Sequence, residues 1–380
     1  MNIVRIPQSS IAPLSHGHPW AYRDFHLDEP VGSFVQLADA QRKPVAWGLA
    51  DEGPIAVRVL GRGAGPANPL TELADRLRRA DAFRFRTAPP QTDCWRCVHA
   101  AGDGLPGLVV DRYGDLAVIR LYSKAWESHL EWLTRQVASW GWASTVARRL
   151  GVGRVDGGEG LETLWGEPAP DHVIVNEHGM RLLVRPHVGQ KTGLFLDQRT
   201  HRALVGGWSA GRRVANLFAY NGGFSVAAAL GGAAHVTTVD LAADAIEDAK
   251  ENFRLNGLDP DEHAFEVADV FAWRARQPVD LLIVDPPSLT HGKSSDGAAE
   301  SAYRKLHARL GPMVVRDGLL ATASCTARLD LQKWKRAVAA GLQNTGDWSW
   351  HWVSGEPLDH PASLVHVEAH YLKFALLRRR

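Results

Sequence analysis

Cysteine is scarce in this chain, with three in 380 residues, too few for a disulfide framework. No apolar run reaches the roughly 18 residues of a membrane span. The opening Met1-Asn-Ile-Val-Arg-Ile-Pro-Gln-Ser-Ser10 lacks the apolar core of a secretory signal. The expected location is therefore the cytosol of a cell that keeps its thiols reduced, with no membrane partner. An excess of either charge is missing too. Lys and Arg number 43 against 42 Asp and Glu, a net charge of +1. No overall basic character announces a nucleic acid, although a balanced total is compatible with a basic face. Zinc spacing is absent: Cys94-Trp-Arg-Cys97 has no second pair and no His cluster, so no metal is expected, and the pair reads as packing beside a strand ahead of a redox couple. There is no internal repeat.

At 45% hydrophobic and 22% charged residues, the chain has the composition of a folded globular protein, and its length implies two or three domains. The first part reads as short β segments: Val31–Leu37, Val45–Ala50 and Ile55–Leu60, bounded by Pro, Gly and Asp. Gly61 to Pro69 is rich in breakers and reads as a linker. Beyond it Leu70, Leu73, Ala74, Leu77 and Ala80 make one helical stripe, and Trp126, Leu130, Leu133, Val137 and Trp140 a second. Leu108–Asp111 with Leu116–Leu121, and Val173–Val175 with Met180–Val184, read as hairpins. Gly151 to Gly160 reads as a loop.

From about residue 210 strands and helices alternate. Arg213–Phe218, His235–Asp240, His263–Asp269, Val279–Asp285 and Gly318–Ser324 are expected strands, with a turn into a helix at Gly222–Ala227 and a helix at Ala242–Asn256 between them. Such alternation predicts a parallel, doubly wound sheet, which binds ligands at the carboxyl ends of its strands. The chemically interesting motifs lie at those ends. Asn216-Leu-Phe-Ala-Tyr-Asn-Gly-Gly223 follows the first strand, and Asp240 ends the next about 20 residues on. Glycines let the backbone approach a nucleoside, and the acid accepts ribose hydroxyls. The loop lacks G-x-G-x-x-G spacing, which favours an adenosyl ligand without pyrophosphate.

Asp285-Pro-Pro-Ser288 leaves the apolar run Leu281–Val284, and its prolines hold an acceptor rigidly, as recognition of a planar base edge requires. Ser324-Cys-Thr326 ends another strand, where Cys325 is either a small buried hydrophobe or a nucleophile. Trp348, Trp350 and Trp352 alternate, which places all three on one face of a strand, to pack a core or to stack bases. Arg378-Arg-Arg380 reads as a solvated tail, and Tyr371-Leu-Lys373 shows no mechanism of its own.

The Gly-Gly loop, the Asp-Pro-Pro strand end and the Ser-Cys strand end, in this order, resemble class I S-adenosylmethionine-dependent methyltransferases. More narrowly, the chain resembles the bacterial ribosomal RNA large-subunit methyltransferase I family, which forms 5-methylcytosine. His18-Pro-Trp20, the stretch from Asp103 to Gly114, and Lys191-Thr-Gly-Leu-Phe-Leu-Asp-Gln-Arg199 carry the narrower likeness. The resemblance implies an α/β protein in three parts: a β-rich PUA domain (1–68), a middle α/β domain (69–172) and a Rossmann-like methyltransferase domain (173–380). It further implies that Phe195, Asp197, Gln198, Arg199, Asn216, Phe218, Asn221 and Gly222 line the site of S-adenosylmethionine. Asp240 would hold the ribose, Asp269 and Val270 would flank the adenine, and Asp285 would border both cofactor and base. Cys325 would be the nucleophile and Asp285 the holder of the target base, in RNA and specifically 23S rRNA. Uridine carbon 5, a ring or exocyclic nitrogen, and a non-catalytic ribosome-assembly role remain open, as does a homodimer.

Overall fold

The computed structural model describes residues 1–151, 160–289, 296–366 and 369–380. Most of the Gly-rich loop expected at Gly151–Gly160 thus lies outside the described residues. The chain divides into two compact units. One comprises Met1–Asn176, Val184–Leu196 and Leu358–Ala369; the other comprises Glu177–Leu183, Asp197–Pro357 and His370–Arg380. No described helix is long and apolar enough to cross a membrane.

The first unit contains two five-stranded sheets. In the first, the strands run in the order Asn2–Arg5, Phe34–Ala38, Pro44–Ala50, Ile55–Arg62, Trp20–Tyr22. The expected linker after it is strapped down. The buried Gln36 amide donates to Gly63 O at 3.0 Å and accepts from Gly65 N at 2.8 Å, because a buried carboxamide must satisfy both its ends. Asn68 then caps the helix Pro69–Thr87 by accepting from Thr71 N, with Pro69 in the first turn, where its missing N–H costs nothing.

That helix buries Leu73, Leu77 and Ala80 in a core shared with Trp47, Leu49 and Leu60 of the first sheet and Val110, Ile119 and Trp126 beyond it. The second sheet runs Gly160–Gly166, Thr145–Leu150, Leu116–Leu121, Leu108–Tyr113, Cys94–His99. Both cysteines of its edge strand are buried, and burial pushes the Cys97 thiol well above its usual range, which suits packing and not redox exchange. The single helix expected across Trp126–Trp140 is instead a 3-10 segment, Lys124–His129, followed by an α-helix, Leu130–Ala138. Trp126 is held by its indole N–H on Pro106 O at 2.9 Å, and Ser123 caps the tighter turn.

In the second unit the strands are β1 (Arg213–Leu217), β2 (His235–Asp240), β3 (Ala264–Val267), β4 (Val279–Val284), β5 (Val314–Ser324), β6 (Trp348–Ser354) and β7 (Lys373–Arg379). Their helices are α1 (Arg199–Gly207), α2 (Gly223–Leu230), α3 (Ala243–Leu255), α4 (Asp296–Leu310) and α5 (Leu331–Leu342). The sheet order is β3-β2-β1-β4-β5-β7-β6. The strands β1 to β5 run parallel, and β7 lies antiparallel to both its neighbours. β4 is almost wholly buried, as an apolar run covered on both faces must be.

Two expectations are corrected here. Residues 378 and 379 are no tail but the end of β7, and Arg378 pairs with Asp317 at 2.6 Å. The three tryptophans do not share a face. A bulge between Trp350 and Trp352 shifts the register, so Trp348 and Trp350 pack on the core while Trp352 is 48% exposed.

Candidate active site

The loop after β1 is bent by three left-handed residues: Phe218 (φ 57°), Tyr220 (φ 49°) and Gly222 (φ 74°). Only glycine adopts this conformation without strain, so Phe218 and Tyr220 each cost on the order of 1 kcal/mol or more. Asp240 at the end of β2 offsets this. Its carboxylate accepts from Tyr220 N at 2.8 Å and from Ala242 N at 3.0 Å, tying the loop to the adjoining strand end. Gly222 has a second constraint, since a Cβ there would lie 2.7 Å from Ala249 Cβ.

Asn216 is fully buried on β1. Its Nδ2 donates to Ser225 Oγ at 3.0 Å, and that oxygen also accepts from Thr238 Oγ1. The Asn216 Oδ1 has no donor among the described residues, an acceptor left for a ligand. Asn221 is committed to the scaffold: its Nδ2 donates to Leu183 O and its own carbonyl accepts from Asn252 Nδ2 at 2.8 Å. Beyond β3, Asp269 accepts from Phe271 N at 2.8 Å, the next residue Val270 is buried, and the Phe271 ring meets Phe218 edge-on at 5.8 Å. An acid at each of two successive strand ends and an aromatic wall thus surround the left-handed loop.

Asp285 follows β4 and Cys325 follows β5, and these strands pair in parallel with Val284 opposite Thr322. The two residues therefore leave neighbouring strands at the same end of the sheet. Gln198, just before α1, donates from Nε2 to Asp285 Oδ2 at 3.0 Å. Its Oε1 can only accept, so His201 Nδ1, 2.6 Å away, is the donor. His201 Nε2 then accepts from Ser354 Oγ at 3.0 Å, and the ring stacks on Phe374 at 4.1 Å. Ser354, His201 and Gln198 form a directed chain that orients the carboxylate. Asp197 accepts from the Tyr371 hydroxyl at 2.6 Å. Arg199 is buried at the start of α1, and Phe195 belongs to the first unit, where the Lys191 ammonium lies 4.6 Å from its ring centre.

Sequence reasoning missed Tyr371, His201, Asn252 and the ion pair of Arg202 with Glu177. It also missed Lys373, although a lysine leading directly into the apolar run Phe374–Leu377 was a visible signal. Tyr303 of α4 is buried beneath the strand ends. Burial pushes its phenol well up, and the charges of Cys325 and Asp285 push the same way.

Burial holds His201 down to about 3 and His307 to about 4; His307 accepts from Thr322 and donates to Tyr303 O. Both are neutral in the folded unit, whereas the unfolded chain protonates them near pH 6.5. Stability should therefore be fully present above pH 6.5 and fall as pH drops from there towards 4, by about 1.4 kcal/mol per pH unit for each histidine. Urea unfolding of the second unit at pH 7 and pH 5 measures this. A midpoint that does not move would contradict the assignment of these rings as neutral.

The strand order, the closed loop after β1 and the acids after β2 and β3 together define a Rossmann-like methyltransferase domain. Residues 99–331 match the family model described as S-adenosylmethionine-dependent methyltransferase. The chain belongs to that family and, within it, to the ribosomal RNA large-subunit methyltransferase I group. A "Ribosomal RNA large subunit methyltransferase" of Deinococcus radiodurans is 36% identical, the match covering 99% of this chain and 97% of the relative. A "Ribosomal RNA large subunit methyltransferase I" of Tolumonas auensis is 32% identical, with 95% of each covered. Among solved structures, a methyltransferase complexed with SAH superposes with a TM-score of 0.87 at 24% identity over the whole of both chains. A SAM-dependent methyltransferase from Streptococcus mutans gives 0.86 at 23% identity, again over the whole of both chains. These two establish likeness of fold.

The cofactor of the family is S-adenosylmethionine, and the residues present fit it. The orphaned Asn216 oxygen and the carboxylates at the ends of β2 and β3 are acceptors suited to the hydroxyl and amino donors of an adenosyl group.

Proposed function

We propose that this chain methylates carbon 5 of a cytosine in large-subunit (23S) rRNA, in the cytoplasm, through a covalent adduct of Cys325. The carrying observation is that Asp285 and Cys325 leave adjacent parallel strands at the same end of the sheet. The names of its relatives support the substrate. In this reading Asp240 holds the ribose, Asp269 and Val270 flank the adenine, and Asn216, Phe218, Asn221, Gly222, Phe195, Asp197, Gln198 and Arg199 complete the cofactor site. Residues 1–68 act as a PUA-like RNA grip, 69–172 as a middle domain and 173–380 as the methyltransferase.

Carbon 5 of cytosine is too poor a nucleophile to react alone. Addition of the Cys325 thiolate to carbon 6 breaks the ring's 5,6 double bond and places that electron pair on carbon 5. S-adenosylmethionine, when bound, supplies an electrophilic methyl group on sulfur. Loss of the carbon 5 proton to a base then restores the double bond and expels the thiolate. Covalent catalysis here divides one difficult step into easier ones. Asp285, oriented by the chain through Gln198 and His201, holds ring nitrogen 3 with a shared proton and stabilises charge as it develops in the ring. The target nucleotide must be unpaired or flipped out for carbon 6 to be reached.

Digesting rRNA from cells with and without the gene, and quantifying nucleosides by mass spectrometry, tests the reading. One 5-methylcytidine per 23S molecule should disappear without the gene. Loss of a 5-methyluridine or an N-methylated base instead would refute the cytosine assignment. RNA carrying 5-fluorocytosine at the mapped position should trap a protein adduct at Cys325, since fluorine cannot leave as a proton does.

A further inference from the structure

We propose that Lys373 activates Cys325: its buried ammonium fixes the backbone just past the cysteine and stabilises the thiolate. This rests on reading Cys325 as the nucleophile and names the group that prepares it. Lys373 lies opposite Ser324 in the antiparallel pairing of β7 with β5, so it stands one residue from Cys325 across the ladder. The next four residues, Phe374–Leu377, are buried and apolar, and Lys373 is buried with them at 3% exposure. Its ammonium donates to Thr326 O, on the residue following Cys325, and to Tyr371 O at 3.0 Å. An ammonium taken out of water is costly, and two neutral carbonyls offset only part of that cost. A hydrophobic residue would fill this strand position without any such cost. The charge is therefore explained by what lies beside it.

Burial lowers the ammonium's pKa, and Glu356 first, then Cys325 and Asp330, favour its charged form. Glu356 also accepts from Leu372 N at 2.8 Å, and Asp330 caps α5 at the surface. Tyr303 of α4 is kept neutral by burial, and Cys325 and Asp285, at the end of β4, push its phenol the same way. A carboxylate alone would hold the thiol protonated; a cation at Lys373 opposes it.

The test is the pH dependence of iodoacetamide alkylation at Cys325, followed by mass spectrometry of its peptide in the full chain. In the wild type the midpoint should lie below the ordinary thiol value of about 8.5. Lys373→Gln keeps N–H donors for the two carbonyls but removes the charge. Its midpoint should rise by about one pH unit, a roughly tenfold slower reaction at neutral pH. Lys373→Arg should restore the wild-type midpoint to within a few tenths. A purely structural lysine would change the limiting rate through looser packing but leave the midpoint in place, and that result overturns the proposal. So does a wild-type midpoint at or above 8.5, which needs no variant to fold. S-adenosylmethionine binding checks that each variant is native. Alkylation requires no methyl transfer, so activity surviving in Cys325→Ala would refute the covalent reading while leaving the midpoint shift as a separate result.

Discussion

Cys325→Ala is expected to lower methyl transfer to rRNA by at least about 10⁴-fold while S-adenosylmethionine binds with wild-type affinity. The reason for the first half is chemical. On the proposed covalent reading, carbon 5 becomes nucleophilic only through addition at carbon 6, and orientation by Asp285 alone would act on a ring that does not react. The reason for the second half is structural. Cys325 follows β5, whereas the loop after β1 and the acids after β2 and β3 belong to other parts of the sheet. Cys325 is only half-buried, so removing one sulfur leaves little cavity. Radiolabel transfer from S-adenosylmethionine and a binding titration on the same preparation measure both halves. Turnover within tenfold of wild type would eliminate the covalent mechanism and favour transfer to a nitrogen.

Glu177→Ala should destabilise the second unit by about 3–5 kcal/mol. The Glu177 carboxylate is 1% exposed and receives both Nε and an Nη of Arg202 at 2.6 Å. Removing the acid leaves a buried guanidinium without its bidentate acceptor, which costs far more than the pair contributes over an apolar replacement. Arg202 cannot simply swing away, because its Cδ is packed so close to Gly223 that a Cβ there would approach it to 2.9 Å. The double variant Glu177→Leu with Arg202→Met should recover most of the loss. Urea unfolding measures the series, and a single-variant loss under 1 kcal/mol would mean that the pair is not buried in solution.

The strand ends were legible because their signals are local. Leu281–Val284 followed by Asp-Pro-Pro, or Leu319–Ala323 followed by Ser-Cys, announces a buried strand and its exit within a few residues. Asp240 could be placed for the same reason, about 20 residues beyond the loop it holds. What could not be read is pairing over distance. The link from Gln198 to Asp285 spans 87 positions and that from Tyr371 to Asp197 spans 174, and no periodicity encodes either. The tryptophan stripe misled for a different reason: alternation assumes an unbroken pleat, and one bulge moved Trp352 to the opposite face. Arg378 and Arg379 looked like a tail because their composition is that of one. Only the ladder with Leu319 and Trp348 makes them strand.

The position of β7 sets a timetable for the ribosome that makes the chain. It is hydrogen-bonded between β5 and β6, yet it is translated after both. While residues 324 to 354 are already outside, the nascent sheet holds an open slot whose two flanking edges have nothing to bond. Closing that slot directly with β6 would leave the later segment unhoused. The antiparallel insertion also sets Lys373 opposite Ser324 last, after the whole strand that leads to Cys325 has been made.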